Sequence, residues 1–157
     1  MDEAEVVIAA ESGIPVDELL VLYGSVGWSA YTDSPEVLGA AVAGASLVVT
    51  ARRGGKLVGL ARALSDGATI CYLQDVLVHP TAHRRGIGRA LVEAVLDRYR
   101  AVRQKVLLTD DEPGQRAFYE SLGYAEIRDH GSGALRCFVR FDDGIQDRHR
   151  SHVIGPP

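Results

Sequence analysis

A mixed, mostly antiparallel sheet flanked by helices, an α/β (α+β) architecture, is the fold class this sequence predicts. Three observations predict it. Two apolar runs, "SLVVTA" and "KLVGLARAL", are separated only by "RRGG", a hairpin signal. A stretch with helical periodicity stands between strand-like runs: Leu91, Val92, Val95, Leu96, Tyr99 and Val102 recur at three- and four-residue spacing. "KVLLTD" is apolar without alternation, as in a strand covered on both faces.

In chain order, "EVVIAA" (5–10) reads as a short strand, and a helix opens at Pro15 with "PVDELLVLYGSVG". A second helix starts after "TDSPEV", where Ser34 can cap and Pro35 suits the first turn. The hairpin follows. "SDGAT" then turns the chain, with Asp66-Gly67 at its tip, into the strand "TICYLQDVLV", which ends at Pro80. After the long helix come "KVLLTD" and the short helix "EPGQRAFYESLG", with Gly123 at its C-terminal end. "YAEIRD" and "ALRCFVRF" complete the expected strands. One domain is expected over 1–142, with a polar tail over 143–157.

Composition narrows the function classes. The 157 residues suit one domain with a sizeable core, and 46% hydrophobic with 24% charged content is that of a globular chain. No apolar run approaches a membrane span, and "MDEAEVV" is acidic where a signal peptide is basic, so a cytoplasmic protein without a membrane partner is expected. Cys71 and Cys137 sit in apolar runs without metal-ligand spacing, and the five histidines are scattered, so no metal is expected. The net charge of −4 gives nucleic-acid binding no general support. The charge is uneven, however: residues 83–105 hold seven Lys/Arg against two acids, and the rest of the chain ten against nineteen. That asymmetry marks a local anion site, with a solvated helix face as the plainer reading.

The site is legible in "HPTAHRRGIGRAL", residues 79–91. A strand ends, the chain turns, and a helix begins near Gly86. The first N–H groups of a helix lack internal partners and carry the positive end of its dipole, and phosphate is their natural guest. Gly86 and Gly88 clear side chains from the approach, while Arg84, Arg85 and Arg89 add attraction; a pyrophosphate would satisfy them all. A P-loop needs Lys-Ser/Thr after the second glycine, where Arg89-Ala90 stands. A dinucleotide fold needs a third glycine where Leu91 stands, and its glycines directly after the strand.

"VLVHPTAHRRGIGRAL" resembles the signature of the GNAT superfamily of acetyl-CoA-dependent N-acetyltransferases, Q/R-x-x-G-x-G/A after a strand ending V-x-P. "FYESLGY", Phe118 to Tyr124, is similar to its second signature, F-Y-E-x-L-G-F/Y. The element order matches as well, over roughly Glu5 to Phe141. Two departures stand out. His83 occupies the Q/R position, and "DDEPGQ" lacks the asparagine that often precedes the second motif.

The resemblance implies that the backbone of Val76, Leu77 and Val78 pairs with the pantetheine arm of acetyl-CoA. It implies that main-chain donors of Arg84, Arg85, Gly86, Ile87, Gly88, Arg89 and Ala90 hold the pyrophosphate. Tyr119 matches the tyrosine that meets the departing sulfur in direct attack of an amine on the thioester. Proton transfer from a phenol of pKa ~10 to a thiolate of ~8.5 runs uphill by roughly 2 kcal/mol, so hydrogen-bond donation is the expected role. The position matching Gln74 is a glutamate in several relatives; Gln74 can orient substrate but takes no proton. Asp75 should face away from Gln74 unless a bulge intervenes. Trp28 and Tyr31 could line an acceptor cleft or pack the first helices onto the sheet. The acceptor would be a small-molecule or protein amine, and dimerisation is implied by the family alone. A non-catalytic acyl-CoA-binding module with the same fold is the alternative.

Overall fold

The computed structural model describes residues 4–131 and 133–142. Five strands, β1 (Val6–Ala10), β2 (Leu47–Arg53), β3 (Lys56–Ser65), β4 (Ile70–Val78) and β5 (Gln104–Leu107), form one sheet in sequence order. Its first three pairings are antiparallel and β4–β5 is parallel. Local turns explain the antiparallel joints. Gly54 and Gly55, both at positive φ (55° and 80°), close the β2–β3 hairpin in the conformation that matches strand twist. Asp66 accepts from the Thr69 hydroxyl and from the N–H groups of Ala68, Thr69 and Ile70, which holds its carboxyl far below the ordinary range.

The parallel joint needs a crossover, and α4 (Ile87–Arg98) supplies it. Its apolar stripe, Ile87, Leu91, Val92 and Val95, is buried against one face of the sheet, with Tyr99 and Val102 continuing past its end. Gly59 on β3 lets the helix lie close. A Cβ there would meet Leu91 Cδ1 at 3.1 Å, and Ala51 Cβ and Ile87 Cγ2 at 3.2 Å. The opposite face carries α1 (Val16–Ser25), α2 (Ser29–Thr32) and α3 (Pro35–Ala43) over Leu57, Leu60 and Leu77. Finally, α5 (Pro113–Ser121) adds Tyr119 to the core on the α4 side.

Four expectations need correction. Ser34 stands at the start of α3 but its side chain makes no capping bond, so Pro35 alone shapes that first turn. β5 is half-buried rather than covered on both faces, because it is the last strand of the sheet. "YAEIRD" is not a strand: Arg116 on α5 grips Glu126 and Asp129 at 2.5 Å each, and the chain winds into a 3-10 turn, Ile127–Asp129, between them. "ALRCFVRF" is strand-like in sequence yet joins no strand ladder among the described residues, and Phe138 is 90% exposed. Strand propensity prepares a segment for pairing, but a ladder needs a partner edge, and β5 is only four residues long. The expected tail, 143–157, lies outside the described residues.

Candidate active site

β4 ends at Val78, and the chain bends through the 3-10 turn Pro80–Ala82. His83 turns back, its Nε2 lying 2.8 Å from the Val78 carbonyl oxygen, so the residue at the departed family position braces the loop to the strand. Arg84 (φ 61°) and Gly86 (φ 73°) then adopt left-handed conformations that swing the chain into α4. A Cβ on Gly86 would meet nothing within 4 Å, so glycine is there for its backbone freedom and the space beside it is open.

The first α4 bond runs from the Ala90 N–H to the Gly86 carbonyl at 3.0 Å. Ala90 therefore has no donor to offer a ligand, which corrects the sequence expectation. The N–H groups of residues 86–89 precede the helical ladder and gather the positive end of its dipole. They border a cavity of about 240 Å³ whose walls include Val78, Ala82, His83, Arg84 and, from α5, Phe118. Arg89 also reaches this cavity, but its guanidinium is held by Glu93 (2.9 Å) and by the Ser121 hydroxyl (3.1 Å), tying α4 to α5.

Among the described residues, the strand leading to this cavity has one edge left unpaired beyond Leu73. β4 pairs with β3 from Cys71 to Val78 save at Gln74, but its ladder with β5 runs only from Ile70↔Gln104 to Leu73↔Leu107. The His79 N–H bonds the Val58 carbonyl on β3 at 2.8 Å. By alternation the backbone groups of Leu77 also face β3, whereas those of Val76 and Val78 face the opposite edge. Leu77 thus drops out of the expected backbone contacts, and its side chain fills the core beneath α1–α3.

One irregularity on β4 reorganises the residues before this edge. Arg62 pairs with Asp75 and Ala63 with Leu73, leaving Gln74 as the extra residue of a β-bulge. Leu73 and Val76 consequently share the α4 face, and Asp75 points toward the helices on the other side. There it accepts from Tyr23 of α1 and Tyr31 of α2 (2.8 Å each) and from Arg62 Nε (2.7 Å), and it is 0% exposed. The extra residue at the bulge places Gln74 and Asp75 on one face. Burial, then the Asp75 charge, raises the Tyr31 pKa to about 12 and that of Tyr23 well above the usual phenol value. Trp28 is buried completely, packed edge-on to Tyr23 and tilted against Tyr31, so it is core and does not line an open cleft. Arg62 and Tyr23 escaped sequence reading. Their signal was a lone arginine in "KLVGLARAL" opposite a lone aspartate in "YLQDVLV".

Tyr119 closes the arrangement. After α5 the Gly123 N–H bonds the Glu120 carbonyl and the Tyr124 N–H bonds the Tyr119 carbonyl, both at 3.1 Å, with Gly123 at φ 91°. These two bonds form a Schellman motif, which requires a residue tolerant of positive φ and brings the following side chain back onto the helix. Tyr124 therefore packs edge-to-face on Tyr119, centroids 5.9 Å apart, with Phe118 on another side at 5.0 Å. Burial, then Tyr124, pushes the Tyr119 pKa far above the ordinary phenol value, so it keeps its proton at neutral pH. Among the described residues its hydroxyl makes no hydrogen bond. One turn earlier, Gln115 is 2% exposed, and among the described residues neither of its amide atoms has a protein partner.

The glycine-cornered start of α4, the edge of β4 left unpaired beyond Leu73 among the described residues, and the buried Tyr119 phenol make up the candidate site. Among the described residues no group of His, Cys, Asp or Glu is placed to hold a metal, and no helix is long and apolar enough to cross a membrane. A family model described as an acetyltransferase (GNAT) domain matches residues 22–141. The chain is 26% identical over 138 residues to the uncharacterized N-acetyltransferase ycf52 of Pyropia yezoensis, spanning 82% of this chain and 75% of that one. A GNAT-family acetyltransferase from Streptococcus pneumoniae TIGR4 has a similar structure, with a TM-score of 0.76 at 24% identity over 88% of this chain and 98% of that one. AAC(6')-Iy, solved with the bisubstrate analogue CoA-S-monomethyl-acetylneamine, has a TM-score of 0.66 at 18% identity over 89% and 100% of the two chains.

Proposed function

The chain belongs to the GNAT acetyltransferase family, and on that premise we propose that it transfers the acetyl group of acetyl-CoA to the nitrogen of a small-molecule or protein amine. One observation carries the reading: the open β4 edge at Val76 and Val78 leads into the glycine-cornered start of α4, with α5 as the facing wall. Acetyl-CoA, when bound, supplies an activated thioester. The rest is assigned to the chain's own residues. N–H groups of residues 86–89 hold the pyrophosphate, and Arg84 and Arg85 draw it in. The Val78 N–H and the Val76 backbone groups hold the arm as an added strand, the Val78 carbonyl being committed to His83. A backbone N–H near Val76 polarises the thioester carbonyl.

Tyr119 donates a hydrogen bond to the sulfur and retains its proton, because burial makes full transfer more uphill than for a phenol in water. Neither β4 candidate serves as a base. Gln74 has no basic atom, and Asp75 is enclosed by three donors. The acceptor therefore reacts as the neutral amine and yields its proton to water, so the rate should climb with pH in step with the neutral fraction of the acceptor.

The missing carboxylate at Gln74 also supports the second reading, a module that binds acyl-CoA without turnover. Acetyl-CoA with a panel of amines, followed by release of free thiol, separates the two. Turnover with at least one amine is expected. Binding of acetyl-CoA with no thiol release from any amine would favour the module instead.

A further inference from the structure

Residues 135–141, "LRCFVRF", alternate as a strand does: Leu135, Cys137 and Val139 fall on one side, Arg136 and Arg140 on the other. Within the described residues the chain does not pair this stretch with its own sheet. Arg116 anchors Glu126 and Asp129 to α5, and Gly131 (φ 56°) and Gly133 (φ 70°) then turn the backbone. Leu135 is left 56% exposed, Phe138 90% and Val139 52%. Strand pairing would take that apolar area out of water.

The complementary half lies in the same chain. β5 ends the sheet, and among the described residues its outer edge carries no strand. Such an edge is a template for an added strand. Seven extended residues reach about 23 Å, further than the four residues of β5. Added antiparallel, they overhang the loop that follows β5, where Asp111 and Glu112 stand exposed to meet Arg136. Arg140 brings its own counter-ion, Asp142 at 2.6 Å, and so adds no net charge beside Lys105.

We propose that residues 135–141 of one chain add antiparallel to the β5 edge of a second copy, which returns the same strand in a two-fold dimer. Reciprocity selects a second copy over an unrelated partner. Every copy carries both the strand and the edge, so one contact made twice closes the assembly and leaves neither of them exposed. The dimer does not depend on the acyl-donor reading.

The test combines sedimentation equilibrium with hydrogen exchange on the full chain, as wild type, Val139→Pro and Leu135→Asp. Wild type should dimerise at micromolar concentration, and amides of β5 and of residues 135–141 should exchange more slowly in the dimer than in the diluted monomer. Proline removes a ladder donor, and aspartate puts a charge on the face being covered. Each should weaken dimerisation about tenfold or more. The melting temperature of the diluted monomer should stay unchanged, since both side chains are exposed there. A monomeric wild type overturns the proposal, as does a dimer that survives both substitutions or leaves residues 135–141 unprotected. Protection of that stretch in a monomer overturns it too, because the strand then pairs within its own chain.

Discussion

At Tyr119, one hydroxyl separates a structural residue from a catalytic one. Its ring packs between Phe118 and Tyr124, and Tyr119→Phe preserves that packing. A hydrogen bond that strengthens only as the thioester breaks contributes to the transition state and not to ground-state binding. The variant should therefore lose ~10²–10⁴-fold in kcat, with acetyl-CoA affinity and melting temperature close to wild type. The loss should be similar for different acceptor amines, because they share one leaving group. Unaltered turnover per folded molecule would take Tyr119 out of the mechanism.

Among elements, the Asp75 network joins α1, α2, β3 and β4 through a single carboxylate. Asp75→Asn keeps its shape but leaves the Arg62 guanidinium buried without a counter-charge, which costs ~3–5 kcal/mol. Denaturant unfolding should show that loss, and Arg62→Met added to Asp75→Asn should recover part of it. A single variant as stable as wild type would mean that water reaches the site. The start of α4 tests differently. Coenzyme A at a hundred times its dissociation constant should add ~2.7 kcal/mol of stability. Gly86→Glu should abolish that gain by placing charge where phosphate sits. Gly86→Asn, which tolerates the φ of 73°, separates backbone strain from charge. A folded Gly86→Glu protein with the full coenzyme A gain would place the phosphate elsewhere.

For the molecule as a whole, the six tyrosines give stability a definite alkaline edge, since all have raised pKa values with burial as the leading cause. A folded-state pKa above the unfolded value of ~10 means that the native state holds the proton more tightly. The associated stability is complete below about pH 10 and is lost as pH rises through the folded values, about 12 for Tyr31. Denaturant midpoints should thus be flat from about pH 7 to 8, bend slightly as the unfolded-state thiol of buried Cys71 begins to ionise, and fall steeply above about pH 10. Tyr31→Phe should soften that fall, and an identical decline in the variant would remove Tyr31 from it.

Most of this architecture, and the glycine-flanked helix start at which the anion site is proposed, was written locally. Gly54-Gly55 and Asp66-Gly67 set turns, the 3.6-residue stripe from Leu91 set α4, and Gly86 and Gly123 mark places where the backbone needs positive φ. Such signals act within a few residues, so a single chain displays them. What they leave open is pairing. The Gln74 bulge exists because β3 and β4 are out of step by one residue, and that offset alone turns Asp75 into the core beside Gln74. "YAEIRD" and "ALRCFVRF" have strand composition, yet Arg116 claims the first and, among the described residues, no edge takes up the second. Gln115 is turned inward only by the packing of α5. Register, edge and burial are relations between distant segments, and only the assembled sheet and its helices could decide them.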